Sequence, residues 1–452
     1  MVTGIAVENM YSFYRQNQEA YHEDYARLRQ LLESNDVKYG NYTLSCEVMP
    51  TIITRTEYDE IIRASELVIT AAEKFTDMVV ASTIWQEQFS WEQDFMKLVL
   101  ADPGYSYNIP CARFDSFLRD GILTFVELNT DGCSGMTNVD IFGTAYRQVL
   151  SHRGFNILET SVWDSVVPRV FSTLLNCYAE FRERYSEAKL PEEPTIGILD
   201  WKDESTHWEF TAFASYCRKQ GINAHLISPD TLRYSAGTLY HNDIPIHLLY
   251  RRMLGIDYAE NMQKLEPVSH AFMDRKVCMV GSPRSQIAFS KKLFAYLLEP
   301  AVLAELPVEC AEAVCRYVPW TRELKGMTTE FKNEKIELLP FIIRNKEAFV
   351  IKPCVSKCGA GIYQGRYTEK EEWEAAVTRG ISMDYIVQEF IELPTAEFPR
   401  FTVKKATETR YVHIGEYVFG GKFSGFLGRT CGHPLMNLRH GERLLGIMHH
   451  QA

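Results

Sequence analysis

Several things are missing from this 452-residue chain, and each absence excludes a class of function. No apolar run approaches the roughly 20 residues that a helix needs to span a bilayer. The opening stretch "MVTGIAVENMYSFYRQNQEAYHEDYARL" lacks a basic segment followed by an apolar one, so it does not read as a signal peptide. No Lys/Arg block occurs and the net charge is −11, which argues against a general nucleic-acid binder. The 11 cysteines include no C-x-x-C pair, and Cys354 and Cys358 in "KPCVSKC" have no second pair at finger-like distance. Free thiols in a reducing cytoplasm are the expectation. Internal repeats and low-complexity segments are also lacking. The terminal His449-His450 pair reads as a frayed end.

What is present is the composition of a globular protein, 46% apolar and 24% charged, in a chain too long for one ordinary core. Residues 7–35 carry aromatic and apolar side chains at helical spacing, and 56–100 read as mostly helical. A hairpin follows: "CARFDSF", "LRDG", "ILTFVEL". After the Pro/Glu-rich "KLPEEPT" at 189–195 the pattern turns α/β. "TIGILDW" reads as a strand, "STHWEFTAFASYCRKQ" as a helix ended by Gly221, "NAHLIS" as the next strand and "IHLLYRRM" as a third, which together make an open sheet. "SQIAFSKKLFAYLLE" reads as one helix, "AFVIKP" and "YIVQEFIELP" as strands, and "YVHIGEYVF-GG-KFSGFLGR" as a hairpin.

Chemistry concentrates at the first hairpin. Strand alternation puts Arg113 with Asp115, and Glu127 with Asn129, each pair on one face. Whether the pairs share a face depends on register. A two-residue Asp120-Gly121 turn sets 114 opposite 127 and separates them. A three-residue turn over Arg119-Asp120-Gly121 sets 113 opposite 127 and unites them; the latter is the expectation. An arginine, two carboxylates and an amide would then converge where Mg²⁺ and phosphate could bind; a solvated polar face is the competing reading. A second element, "AFVIKPCVSKCGAGIYQG", ends a buried strand in Lys352 and runs into a loop with Lys357, Gly359 and Gly361, suited to close approach of backbone N–H groups to phosphate. It is not a Walker A loop. A third, "YIVQEFIELP", places Gln388 and Glu389 at a strand end.

In this order the three elements resemble the ATP-grasp ligases, specifically the synthetase domain of glutathionylspermidine synthase and its circularly rearranged relatives. The resemblance spans roughly 111–430 and rests on Arg113-x-Asp115, on Glu127-x-Asn129-Thr130-Asp131 at matching spacing, and on "SKKLFAYLL" with Lys291 (or Lys292). It rests further on Lys352 and Lys357, on Tyr385 to Pro394, and on "GGKFSGFLGR" with Arg429. It implies an α/β (α+β) ATP-grasp fold with an open-sheet substrate lobe preceding the ATP lobe and a helical N-terminal region. The divisions expected are 1–110 helical, 111–150 metal-binding hairpin, 190–285 substrate lobe, 286–390 ATP-binding lid and 391–452 the rest of the core.

The resemblance further implies Asp115, Glu127 and Asn129 as ligands of Mg²⁺ (two ions), and Lys291, Lys352, Gln388 and Glu389 as ATP contacts. Arg113, Arg429 and Lys357 become catalytic cations, and Thr130, Asp131, Ser134 and Glu204 substrate contacts. The activity implied joins a small-molecule carboxylate, amino-acid or peptide-like, to an amine through an acyl phosphate, giving ADP and phosphate. The alternatives are transfer of the acyl group to a thiol or carrier protein, or a non-catalytic nucleotide-binding relative. The sequence departs from the family at Lys357, where arginine is usual, at "GCSG" after Asp131, and near the linker, where the family's acidic pair is reduced to "KDES", leaving Asp203 and Glu204 as the polyamine contacts. Substrate choice is expected to differ there.

Overall fold

The computed structural model describes residues 5–155, 157–355, 360–402, 405–434 and 441–451. The N-terminal region is helical as its periodicity predicts, with a break: Ile5–Gln16 and α1 (Gln18–Ser34) are separate helices meeting at Asn17. Helix α2 (Arg55–Ala81) begins with a capping box. Thr54 Oγ1 accepts from the Glu57 amide, and the Glu57 carboxylate accepts from the Thr54 amide. Its buried positions, Tyr58, Ile61, Ala64, Val68, Ala72, Phe75 and Val79, recur every three or four residues, so one face is apolar along its full length.

That face covers a seven-stranded sheet. Its members are β1 (Cys111–Arg119), β2 (Ile122–Asn129), then, after α3 (Met136–Ser151), four strands from far along the chain. In spatial order the sheet runs Ser45–Cys46, β14 (Arg443–Leu445), β13 (Lys422–Cys431), β12 (Lys405–Phe419), β1, β2, with β11 (Thr395–Thr402) also paired to β12. The β12–β13 hairpin turns on Gly420-Gly421, both at positive φ (54° and 69°), as its sequence predicts.

The 195–285 segment folds as the predicted open sheet, and its strands are parallel. β3 (Ile196–Leu199), α4 (His207–Lys219), β4 (Ala224–Ile227), β5 (Leu248–Arg251) and β6 (Cys278–Val280) give the order β6-β5-β3-β4. A third, antiparallel sheet, β7-β10-β8-β9, is built from β7 (Thr321–Glu323), β8 (Phe349–Pro353), β9 (Tyr363–Gln364) and β10 (Tyr385–Glu389). It has its own apolar cluster, centred on Trp373 of α6 (Lys370–Ser382), Phe349, Ile351 and Val387.

Two local expectations change. "SQIAFSKKLFAYLLE" is not one helix: Gln286–Phe289 and α5 (Lys292–Leu297) are separated at Ser290, whose ψ is 131°. The Lys291 amide there donates to the Cys354 carbonyl (2.9 Å) instead of to its own helix, a tertiary bond that overrides helical propensity. The C-terminal histidines are not frayed. Ile447–His450 pairs with Thr51–Ile53 and with Ser161–Val162, and His449 stacks on Tyr58 at 3.6 Å. Among the described residues no helix is long and apolar enough to cross a membrane.

Candidate active site

The β1–β2 hairpin closes on two residues, Asp120 (φ 51°) and Gly121 (φ 77°), the conformation that suits a right-twisted ribbon. The expected three-residue turn is therefore wrong. Its consequence is nevertheless obtained by another device. Near the turn Ser116 faces Phe125, but beyond it Asp115 faces Glu127 and Arg113 faces Asn129. The extra residue is Val126, a β-bulge that shifts the register by one. The bulge brings all four polar side chains to one face, and the Val126 carbonyl accepts a hydrogen bond from Lys352 Nζ (3.2 Å).

This face forms one wall of a cleft with about 750 Å³ of space. Arg113, Asp115, Glu127, Asn129, Ser134, Glu204, Lys291, Lys352, Gln388, Glu389 and Arg429 all line it. Asp115 is held by three neighbours: Arg113 Nε at 2.8 Å, Arg429 Nη2 at 3.3 Å and His413 Nε2 at 3.7 Å. Burial alone would raise its carboxyl, but the Arg113 and Arg429 guanidinium groups outweigh burial and hold it well below the usual carboxylate range. Glu127 pairs with Lys291 (2.9 Å). Lys352 donates to Gln388 Oε1 (2.7 Å), whose amide nitrogen donates to Thr321 Oγ1 (3.0 Å). Gln388 thus orients the lysine rather than standing free. Glu389 pairs with Lys332 at 2.8 Å. Lys292 points away to Asp384 (2.6 Å), leaving Lys291 as the cleft lysine.

Three expectations fall differently. Thr130 is 4% exposed and its hydroxyl donates to the Ser285 carbonyl, so it does not face the cleft chemistry. Asp131 accepts from Arg251, Ser285 Oγ, the Gly255 amide and Gln286 Nε2, with 1% of its side chain exposed. A carboxylate so saturated locks the hairpin to the parallel sheet and has no oxygen left for a substrate. Asp203 is not among the cleft-lining residues. Lys357, Cys358 and Gly359 lie outside the described residues.

Sequence reading missed His413 and Arg252. His413 follows the alternation of β12 onto the cleft face, opposite Arg429. Burial beside Arg429 pushes its imidazole down to about 3, so it is neutral, and Arg429 Nη2 donates to its Nδ1 (3.0 Å). Its proton then sits on Nε2, toward Asp115. Arg252 stands at the carboxyl end of a parallel strand, where open α/β sheets bind ligands, and that position was the available signal.

Burial pushes Lys352 down to about 8, against the pull of Glu127 and with Lys291 adding to the decrease. The folded-state value lies below that of a free lysine, so the free protein gains stability as pH rises from about 8 toward 10.5. Polyanion binding has the opposite sign, because it needs the ammonium. Calorimetric titration with ATP is expected to show affinity falling about tenfold per pH unit above 8. Lys352→Met should flatten that part of the profile; an unchanged slope would remove Lys352 from the phosphate site.

The residues fit Mg²⁺ by the chemistry of their donors. Two hard carboxylates and an amide oxygen share one rigid face. Among the described residues there is no group of three or more His, Cys, Asp or Glu that could hold a metal ion.

Comparison with known proteins matches no family model and no curated protein. Among solved structures, a glutathione synthetase-like effector from Globodera pallida aligns over 94% of this chain and 96% of its own, with TM-score 0.62 and 13% identity. At that identity the likeness establishes the fold alone. A putative gamma-glutamylcysteine synthetase from Methylobacillus flagellatus aligns over 88% and 89% at TM-score 0.41 and 12% identity. The ATP-grasp ligase PsnB, solved with minimal precursor, Mg and ADP, aligns over 56% of this chain and 88% of its own at TM-score 0.28 and 13% identity. The chain shares the mixed helix-and-sheet fold of the Globodera pallida effector.

Proposed function

We propose that the protein is an ATP- and Mg²⁺-dependent ligase that joins an amino-acid or peptide-like carboxylate to an amine through an acyl phosphate, releasing ADP and phosphate. The observation that carries this reading is the convergence, in one cleft, of the Asp115–Glu127–Asn129 face with Lys291, Lys352, Arg113 and Arg429. The resemblance to the glutathionylspermidine synthase family supports the same assignment, and the solved ligases of related name are in keeping with it.

In this reading Asp115, Glu127 and Asn129 hold Mg²⁺, which when bound supplies charge neutralisation to the phosphates. Lys291 and Lys352 bind phosphate oxygens. Gln388 fixes the Lys352 ammonium from behind, and Gln388 and Glu389 form the strand end beside the adenine. Arg113 and Arg429 stand on either side of Asp115 and stabilise negative charge on the transferred phosphoryl group, where preorganised donors act most strongly. His413, neutral and accepting from Arg429, holds that guanidinium in place. Lys357 is the remaining loop cation, assigned from the resemblance.

ADP release across a panel of carboxylate and amine pairs tests the proposal. Release that requires a carboxylate and quickens with an amine is the expected result. Release that needs a thiol or carrier protein instead would redirect it to acyl transfer, and no carboxylate-dependent release from any pair would refute it.

A further inference from the structure

The parallel sheet carries a charge that the ligation chemistry does not use. Arg251 and Arg252 adjoin at the end of β5. Arg251 is matched by Asp131, whereas Arg252 has no ion-pair partner among the described residues. Arg252 is 4% exposed yet lines the cleft. Its guanidinium lies over the rings of Phe210 (4.3 Å) and Tyr250 (5.2 Å), Nη1 donates to the Tyr250 hydroxyl (3.1 Å), and Nε has no partner. Two acids, Glu209 and Asp200, act on it through space without forming an ion pair with it. The Glu209 carboxylate accepts from the Gly135 and Met136 amides at 2.8 Å each, which caps α3, and Asp200 accepts from the Trp201 amide (2.9 Å). A buried guanidinium with no anion in direct contact is costly to keep unless a ligand completes it.

Its surroundings narrow the ligand. The aromatic rings hold the planar fork in a fixed orientation, which suits a carboxylate gripped edge-on. Asp200 and Glu204, in the segment after β3, line the same cleft; Asp200 acts on the Arg252 guanidinium through space, and Glu204 acts on Asp200. The nucleotide cations Lys291 and Lys352 belong to other elements, the start of α5 and the end of β8. We infer that Arg252 receives a non-reacting carboxylate of the substrate while Asp200 and Glu204 take an adjacent ammonium. The substrate class is then an α-amino acid, or a peptide with such a head, that carries a second carboxyl group to be activated at the Asp115–Glu127 end.

Activation of the second carboxyl rests on the ligase reading, whereas capture of the head does not, so the test separates them. Full-length protein is titrated without ATP against L-glutamate, L-2-aminoadipate, glutarate and 4-aminobutyrate. The expected result is that an amino dicarboxylate binds the wild type and that Arg252→Gln weakens it about 30-fold, the scale of a lost charge-assisted pair. Arg252→Lys, which keeps the charge and loses the fork, should give a smaller loss. 4-Aminobutyrate, which lacks the α-carboxylate, should not distinguish the wild type from Arg252→Gln. ATP titration of each variant reports that the fold is intact, and Arg252→Lys serves if Arg252→Gln does not fold. If no member of the panel binds the variant more weakly than the wild type while ATP binding persists, the inference is overturned. Arg252-dependent binding with no ADP release from any pair would leave it standing and sink the ligase reading instead.

Discussion

Glu127→Ala is expected to lower Mg²⁺-dependent ADP formation by on the order of 10³-fold, the loss that follows when a charge-stabilising contact leaves a transition state. Glu127 sits on the bulged part of β2, faces Asp115 across the ladder, and touches Lys291 at 2.9 Å. Without it, the face keeps a single carboxylate, and that one is already surrounded by Arg113, Arg429 and His413. The fold should survive, because the Glu127 side chain is 26% exposed and it and its partner Lys291 both line the cleft. Circular dichroism and the thermal midpoint should stay close to those of the wild type. Titration of Mg²⁺ at saturating ATP provides the check. An active Glu127→Ala enzyme with an unchanged Mg²⁺ requirement would remove Glu127 from the metal site.

The second large effect concerns stability. Asp131→Ala is expected to destabilise the protein by about 3–5 kcal/mol, because it strands the Arg251 guanidinium in the interior. Arg251 then keeps hydrogen bonds only to carbonyls and a hydroxyl, those of Met253, Gly281, Ser282 and Ser285. Replacing Arg251 by Met in the same background should recover part of the loss, since the penalty lies mostly in the unpaired charge. Urea denaturation of the two variants and the wild type measures both steps. A loss under about 1 kcal/mol would mean that water reaches the pair and that Asp131 is not a lock.

Asp131 also shows where sequence reasoning stops. Its place after Glu127 and Asn129 suggested a third cleft residue; it does line the cleft, but the packing of β5 and of the Ser282–Gln286 turn against it engages both its oxygens. The strands of the open sheet, the late Gly-Gly hairpin, β8 and β10 were legible because each is a short apolar run bounded by turn residues. The first hairpin was legible in outcome but not in device. Counting residues offered a choice between two turns, and the protein uses the shorter turn together with a bulge at Val126, which no local pattern marks. The break at Ser290 was hidden for a similar reason, since the competing bond comes from Cys354, more than sixty positions away. His413 and Arg252 were passed over because a single histidine in a strand and a charged residue at a strand end are ordinary alone. Each acquires meaning from what lies opposite: Arg429 for the first, an absent anion for the second.

The central claim is that a carboxylate oxygen is transferred to phosphorus before the amine attacks. The most direct measurement uses the carboxylate and amine pair that gives the fastest ADP release, with ¹⁸O placed in the carboxylate. If an acyl phosphate forms, the amine displaces phosphate from the carbonyl carbon, and the released phosphate carries one ¹⁸O per turnover. Released phosphate without label, at undiminished amide formation, would contradict the account.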